Sequence, residues 1–80
     1  MYFGNVVAEM AKLGVSQREM ADILEMTPTT FSLKLNCKNV NKTFDIYECI
    51  VIKNYLNSLT STKPYTLDYL FKLNYEEDEK

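Results

Sequence analysis

The chain has 80 residues, of which 46% are hydrophobic and 25% charged, with 2 Gly, 2 Pro and a formal net charge of −2. A chain of this length builds a single core, and this composition is typical of a globular protein and excludes collagen-like and low-complexity classes. It has no apolar run near the ~18–20 residues that a membrane helix needs. The N-terminus also lacks the order of a signal peptide, so we expect a cytoplasmic protein without a membrane partner.

The residues needed for most enzymes and metal sites are missing. The chain contains no His, which removes the commonest general base and metal ligand. Its two glycines, Gly4 and Gly14, cannot form a glycine-rich phosphate loop. Cys37 and Cys49 are isolated, so we expect reduced thiols, with Cys49 buried and Cys37 exposed. We therefore expect no enzyme, no metal, no cofactor and no small-molecule substrate.

Charge is distributed unevenly along the chain. Residues 76–80 carry four acids and one base, a net of −3, which leaves +1 for residues 1–75 out of the total of −2. Between Met26 and Thr43 there are three lysines and no acid. These features predict one domain over residues 1–74, with a local basic stretch, followed by an acidic and frayed tail over residues 75–80.

Apolar residues recur at three- and four-residue spacing, which predicts an all-α compact bundle of five short helices. The first three are expected over residues 5–13, 17–24 and 28–35. Gly14 is expected to end the first helix. Ser16 and Glu19 fit a capping box at the start of the second. Thr27 is the expected N-cap of the third, with Pro28 at its first position.

The last two helices are expected over residues 44–57 and 67–73, with Thr43 and Thr66 as their caps. The fourth helix has apolar residues on two sides. One side comprises Ile46, Cys49, Ile50 and Leu56, and the other comprises Phe44, Tyr47, Val51 and Tyr55. A helix that is apolar nearly all round is buried on more than one side. In a chain this short, that requires either the C-terminal segment or a second subunit.

The second and third helices are joined by a tight turn at residues 25–27, and the small Ala21 permits a close crossing, so their spacing is that of a helix-turn-helix. Residues 14–21 (GVSQREMA) and 29–36 (TTFSLKLN) resemble the opening and the recognition helix of the phage-repressor (Cro-like, XRE-type) family. The resemblance covers residues 6–71 and is strongest to small single-domain regulators of Gram-positive phages.

This resemblance implies a lambda-repressor-like DNA-binding domain. It also implies a sequence-specific transcriptional regulator in the bacterial cytoplasm, associated with the nucleoid. The partner would be double-stranded DNA, bound by a homodimer on a site with approximate two-fold symmetry.

Helix geometry assigns roles within the third helix. If Phe31 and Leu35 face the core, a step of about 100° per residue turns the opposite side toward the DNA groove. The expected base-facing residues are Thr29, Ser32, Leu33 and Asn36. The expected phosphate contacts are Gln17, which the resemblance implies, and Arg18, Thr30, Lys34, Lys38 and Lys42. The candidate dimer surface comprises Phe44, Tyr47, Val51, Tyr55 and Tyr69, with Tyr65, Phe71 and Tyr75 nearby.

The chain departs from the family at two turns. Glu25 and Cys37 stand where family members usually have Gly, and both positions can demand a positive φ. The groove-facing side of the third helix also lacks Arg and Gln, the side chains best suited to paired hydrogen bonds with guanine or adenine. With the acidic pI, this keeps open a second function. The fold can instead serve as a protein-interaction module, an antirepressor or a partner of a host regulator, that does not bind DNA.

Overall fold

The computed structural model describes residues 2–36, 43–60 and 64–74, and all regular elements in these ranges are helices. In chain order they are α1 (Gly4–Leu13), α2 (Gln17–Ile23), α3 (Pro28–Leu35), α4 (Ile46–Ser58) and α5 (Leu67–Leu70). The predicted all-α fold is thus confirmed. The expectations for Cys37, Lys38, Lys42, Tyr75 and the tail lie outside the described residues.

The expected N-caps of α2 and α3 are confirmed. The Ser16 hydroxyl accepts a hydrogen bond from the Glu19 N–H at 3.1 Å, and the Thr27 hydroxyl accepts one from the Thr30 N–H at 3.1 Å. The Glu19 carboxylate, however, accepts a hydrogen bond from the Tyr55 hydroxyl of α4. The predicted capping box is therefore half formed, and its acid connects α2 to α4 instead.

The predicted start of α4 is wrong. Asp45, not Thr43, is the N-cap, and α4 begins at Ile46, two residues later than expected. Asp45 and Glu48 form a full capping box, because the Glu48 N–H donates to Asp45 Oδ1 at 2.7 Å and the Asp45 N–H donates to Glu48 Oε1 at 3.2 Å. Two satisfied N–H groups favour this start over Thr43. Thr66 caps α5 as predicted, although α5 has only four residues.

The core lies where the five helices meet. Its fully buried side chains are Val6, Met20, Ala21, Phe31, Leu35, Ile52, Leu56 and Leu70. Phe44 packs among Phe3, Phe31 and Phe71, with ring centroids 5.9, 5.5 and 6.1 Å away. It is only 7% exposed, so its predicted place on a dimer surface is wrong. Phe44 enters the core because it precedes α4 and is not held on the outer side of that helix.

The two ends of the described chain meet beside α3. Tyr2 and Asn74 exchange backbone hydrogen bonds of 2.9 and 2.8 Å. The Asn74 side chain also accepts from the Gly4 N–H at 3.0 Å, and a Cβ at Gly4 would lie only 2.7 Å from that oxygen. The Phe3 N–H donates to the carbonyl of Leu35 at 3.0 Å. The N-terminal segment therefore supplies a hydrogen-bond donor for the backbone carbonyl of the last residue of α3.

Candidate nucleic-acid interface

The turn between α2 and α3 has a defined hydrogen-bond pattern. The Glu25 N–H donates to the Asp22 carbonyl at 3.1 Å, and the Met26 N–H donates to the Ala21 carbonyl at 2.9 Å. This is the Schellman motif, which requires a left-handed residue between the helix and the second donor. Glu25 occupies that position with a φ of 59°, so the expected positive φ is confirmed. Ala21 is fully buried where α2 and α3 pack together.

The two sides of α3 differ as predicted. Phe31 and Leu35 are fully buried, while Thr29 is exposed and Leu33 is 46% exposed. Among the described residues, the Thr29 hydroxyl has no hydrogen-bond partner. The outer side of α3 therefore presents a free hydroxyl and an isobutyl group, without a bulky or charged side chain between them.

Other predicted contact residues on α3 already have partners within the protein. The Asn36 amide donates to the Ser32 carbonyl at 2.9 Å and lies 3.4 Å from the Ser32 hydroxyl. The Thr30 hydroxyl accepts from the Thr27 hydroxyl at 3.0 Å. Ser32, Thr30 and Asn36 are each half-buried. These groups stabilise the two ends of α3, which leaves Thr29 and Leu33 as its outward groups.

Lys34 is held by an acid of α4. Its Nζ lies 3.0 and 3.1 Å from the two carboxylate oxygens of Glu48, and the two side chains are 19% and 16% exposed. A contact of Lys34 with phosphate would require this ion pair to break. The pair instead fixes α3 against the start of α4. The two residues are 14 positions apart in the sequence, so helical spacing alone could not find the pair.

Gln17 and Arg18 are both exposed in the first turn of α2. Within the described part of α2 and α3, Arg18 is the cation without an ion pair, because Lys34 is bound to Glu48. Asp22 and Glu25 are exposed toward the other end of α2. The positive charge of this region therefore lies at the N-terminal end of α2.

The residues predicted for a dimer surface do not form one surface. Phe44 is in the core, and Val51 is half-buried. The Tyr55 hydroxyl donates to Glu19, and this hydrogen bond raises the pKa of Tyr55. The Tyr69 hydroxyl lies 2.7 Å from Glu9 of α1. Of the five residues predicted for the dimer surface, Tyr47 is the most exposed, with 71% of its surface accessible.

A buried carboxylate on α1 was missed from the sequence. Glu9 is 4% exposed and accepts hydrogen bonds from the hydroxyls of Tyr65 and Tyr69 at 2.6 and 2.7 Å. Lys12 lies 3.3 Å from the same carboxylate. These hydrogen bonds, led by that from Tyr65, hold the pKa of Glu9 below its usual value despite burial, and they raise the pKa of Tyr65 to about 12.

An open pocket of about 600 Å³ lies beside this carboxylate, lined by Lys12, Leu13, Pro64, Tyr65 and Tyr69. Both oxygens of Glu9 are already engaged there, so the arrangement fastens α1 to the C-terminal segment. The sequence signal was available, because Glu9 lies three residues after Val6 and four before Leu13, on the apolar side of α1.

The rest of the described chain offers little reactive chemistry. In residues 2–36, 43–60 and 64–74, no three His, Cys, Asp or Glu residues are grouped so that they could hold a metal ion. Cys49 is half-buried rather than buried, and desolvation with the nearby Asp45 and Glu48 raises its pKa to about 11. Its thiol is therefore protonated at neutral pH.

None of the helices in the described ranges has the length and apolar character needed to cross a membrane. No protein-family model matches the chain, and neither the curated proteins nor the solved structures contain a match.

Proposed function

We propose that the protein is a sequence-specific DNA-binding transcriptional regulator of phage or mobile-element type. In this proposal α2 and α3 act as a helix-turn-helix, and α3 enters the major groove. The observation that carries it is the outer side of α3. Thr29 and Leu33 are exposed on the side of α3 opposite the buried Phe31 and Leu35. The left-handed turn at Glu25 connects α2 to α3. The major groove, about 12 Å wide, admits an α-helix.

Base recognition is assigned to Thr29 and Leu33. The Thr29 hydroxyl can donate to or accept from a base edge, and the Leu33 side chain can pack on a thymine methyl group. Ser32 flanks them and is half-buried. Asn36 receives no base contact in this proposal, because its amide donates within α3.

Phosphate contact is assigned to Gln17 and Arg18, which are exposed together at the start of α2. Such contacts fix the position of a protein on the duplex and supply most of its salt-dependent affinity. Lys34 holds α3 in position through Glu48. Because Arg18 is the cation without an ion pair in the described α2 and α3, we expect one copy to bind weakly, so the proposed DNA-bound form is a homodimer on a symmetric site. Its occupancy then blocks or recruits polymerase.

Selection from a random duplex library tests this proposal. The purified protein is expected to enrich a motif with approximate two-fold symmetry, and its affinity should fall steeply between about 50 and about 200 mM salt. Leu33→Ala should change the enriched motif. Leu59→Ala is the matched control, because Leu59 is 43% exposed at the end of α4 and Leu33 is 46% exposed. Absence of both enrichment and salt-dependent retention would contradict the proposal.

A second function is favoured by two observations. The exposed acids Asp22 and Glu25 lie on α2 and in the turn that follows it, and the outer side of α3 has no Arg or Gln. Both features suit a protein-interaction module better than a DNA reader. A stable complex with another protein, together with no affinity for duplex DNA, would support this alternative.

A further inference from the structure

The pocket beside Glu9 contains a buried negative charge. Glu9 is 4% exposed, and its lowered pKa keeps the carboxylate ionised at neutral pH. The hydroxyls of Tyr65 and Tyr69 donate hydrogen bonds to it but carry no positive charge. A carboxylate away from water is stabilised by a nearby cation. In the described part of the chain, that cation is the ammonium group of Lys12.

Lys12 holds this position only loosely. Its Nζ lies 3.3 Å from Glu9 Oε2, which is long for a hydrogen bond, and its side chain is 69% exposed. Exposed ion pairs between residues three apart on a helix contribute little free energy. The long side chain of Lys12 can therefore turn its ammonium group into water and leave the carboxylate to another cation at small cost.

The rest of the pocket suits an apolar body attached to such a cation. Its volume of about 600 Å³ lies within the range of roughly 300–1,000 Å³ found for small-molecule sites. Leu13 and Pro64 provide apolar lining. The rings of Tyr65 and Tyr69 are stacked, with centroids 6.2 Å apart and planes 15° apart, and the faces of aromatic rings attract cations. An anion is disfavoured, because Glu9 repels it and both tyrosine hydroxyls already donate to Glu9.

We propose that this pocket binds a small organic cation, namely a primary amine with an apolar body. The ammonium group of the ligand takes the place of Lys12 and donates to Glu9 Oε2. The apolar body lies against Leu13 and Pro64. None of the described residues that line this pocket belongs to α2 or α3, so the site is separate from the proposed DNA-reading surface. The inference therefore goes beyond the proposed function and does not depend on it.

An amide-shift titration of the full chain without DNA tests the site. The probe is phenethylamine, which is charged at neutral pH, and its control is phenethyl alcohol, which has nearly the same shape and no charge. The amine should shift the amides of Lys12, Leu13 and Tyr65 with a dissociation constant of roughly 1–10 mM, as fits so small a ligand. The alcohol should bind at least about 10-fold more weakly, because it lacks the charge-assisted hydrogen bond to Glu9. Equal binding of the two, or no saturable shift with the amine up to about 50 mM, overturns the proposal.

Removal of Lys12 tests whether the ligand takes its place. Lys12→Ala should tighten the binding of phenethylamine about 2- to 5-fold, because the competing ammonium group is gone. Lys72→Ala is the matched control. Lys72 is exposed and is not among the lining residues of this pocket, so loss of the same charge there should leave the dissociation constant unchanged. Unchanged or weaker binding by Lys12→Ala contradicts the exchange of one ammonium group for the other.

Neutralisation of Glu9 tests the source of the selectivity. Glu9→Gln should weaken the binding of phenethylamine at least about 10-fold and leave that of phenethyl alcohol nearly unchanged. Circular dichroism checks that the variant keeps its helices. If it does not fold, the Lys12→Ala comparison and the amine–alcohol pair decide the outcome. Selective amine binding by a chain without affinity for DNA supports this site and contradicts only the proposed function, whereas a chain that selects DNA and binds no amine contradicts only this site.

Discussion

Two of the polar contacts between helices are built differently. Between α1 and the C-terminal segment, the buried Glu9 accepts hydrogen bonds from Tyr65 and Tyr69. Between α3 and α4, the Lys34 ammonium pairs with Glu48 at 19% and 16% exposure. In the first contact neutral hydroxyls donate to a buried carboxylate that is 4% exposed, whereas the second is a partly solvated ion pair. The tyrosine contact thus stabilises the whole fold, and the ion pair chiefly orients α3.

Removal of Glu9 should have the largest effect. Glu9→Ala should lower the free energy of unfolding by about 2–3 kcal/mol, because it leaves two tyrosine hydroxyls without their acceptor. Urea denaturation measures the loss. Lys12→Ala is the control, since Lys12 is 69% exposed in its pair with Glu9 and should cost under about 0.5 kcal/mol. Equal losses in the two variants would show that the tyrosine hydrogen bonds contribute little.

Removal of Lys34 should lower the free energy of unfolding less than removal of Glu9, and it should also reduce the sequence specificity of DNA binding. Lys34→Met should lower the free energy of unfolding by about 1 kcal/mol, because a partly exposed ion pair is lost while the side-chain volume is kept. The sequence preference for DNA should broaden as α3 loosens.

The salt dependence of DNA binding separates positioning from phosphate contact. Lys34→Met should leave the slope of log affinity against log salt unchanged. Arg18→Ala should reduce that slope by about one, as expected when one phosphate contact is lost. A comparable reduction with Lys34→Met would instead make Lys34 a phosphate ligand.

The turn at Glu25, which precedes α3, also determines where α3 lies. Gly14 ends α1 with a φ of 71°, and Glu25 follows α2 with a φ of 59°. The left-handed conformation costs a residue with a side chain roughly 1–2 kcal/mol. Glu25→Gly should therefore raise the thermal unfolding temperature, and Gly14→Ala should lower it, although nothing lies within 4 Å of the added Cβ. A destabilised Glu25→Gly variant would mean that the Glu25 side chain makes a compensating contact.

The smallest effect concerns pH. The pKa of Glu9 is lowered from 4.5 in the folded state, chiefly by the Tyr65 hydrogen bond. Its contribution is therefore complete above the unfolded pKa and is lost as the pH falls through the folded pKa. Glu9→Gln should flatten the loss of stability as the pH falls below 4.5, measured as urea midpoints. An unchanged acid limb would assign that loss to other carboxylates.

Local signals in the sequence were sufficient for the second and third helices. Ser16 and Thr27 are caps that act within three residues, and Pro28 fixes the first turn of α3, so the bounds of α3 follow from neighbouring residues. The positive φ at Glu25 follows from the same short-range geometry. These features do not depend on the rest of the fold.

The features that could not be predicted depend on contacts between distant residues. Phe44 is buried because Phe3 and Phe71, far away in the chain, meet it. Lys34 finds Glu48 only once α3 and α4 are packed. Because α4 is apolar on several sides, its sequence cannot select which side faces the core. The structure places Ile52 inside and Tyr47 outside.

The most direct test of the central claim is an amide-shift titration of the labelled protein with duplex DNA of about 20 base pairs, long enough for two half-sites. The account predicts that the largest shift changes occur at Thr29 and Leu33 and at Gln17 and Arg18. Changes confined to residues outside α2 and α3, or no changes at all, would contradict the proposal that α3 reads DNA.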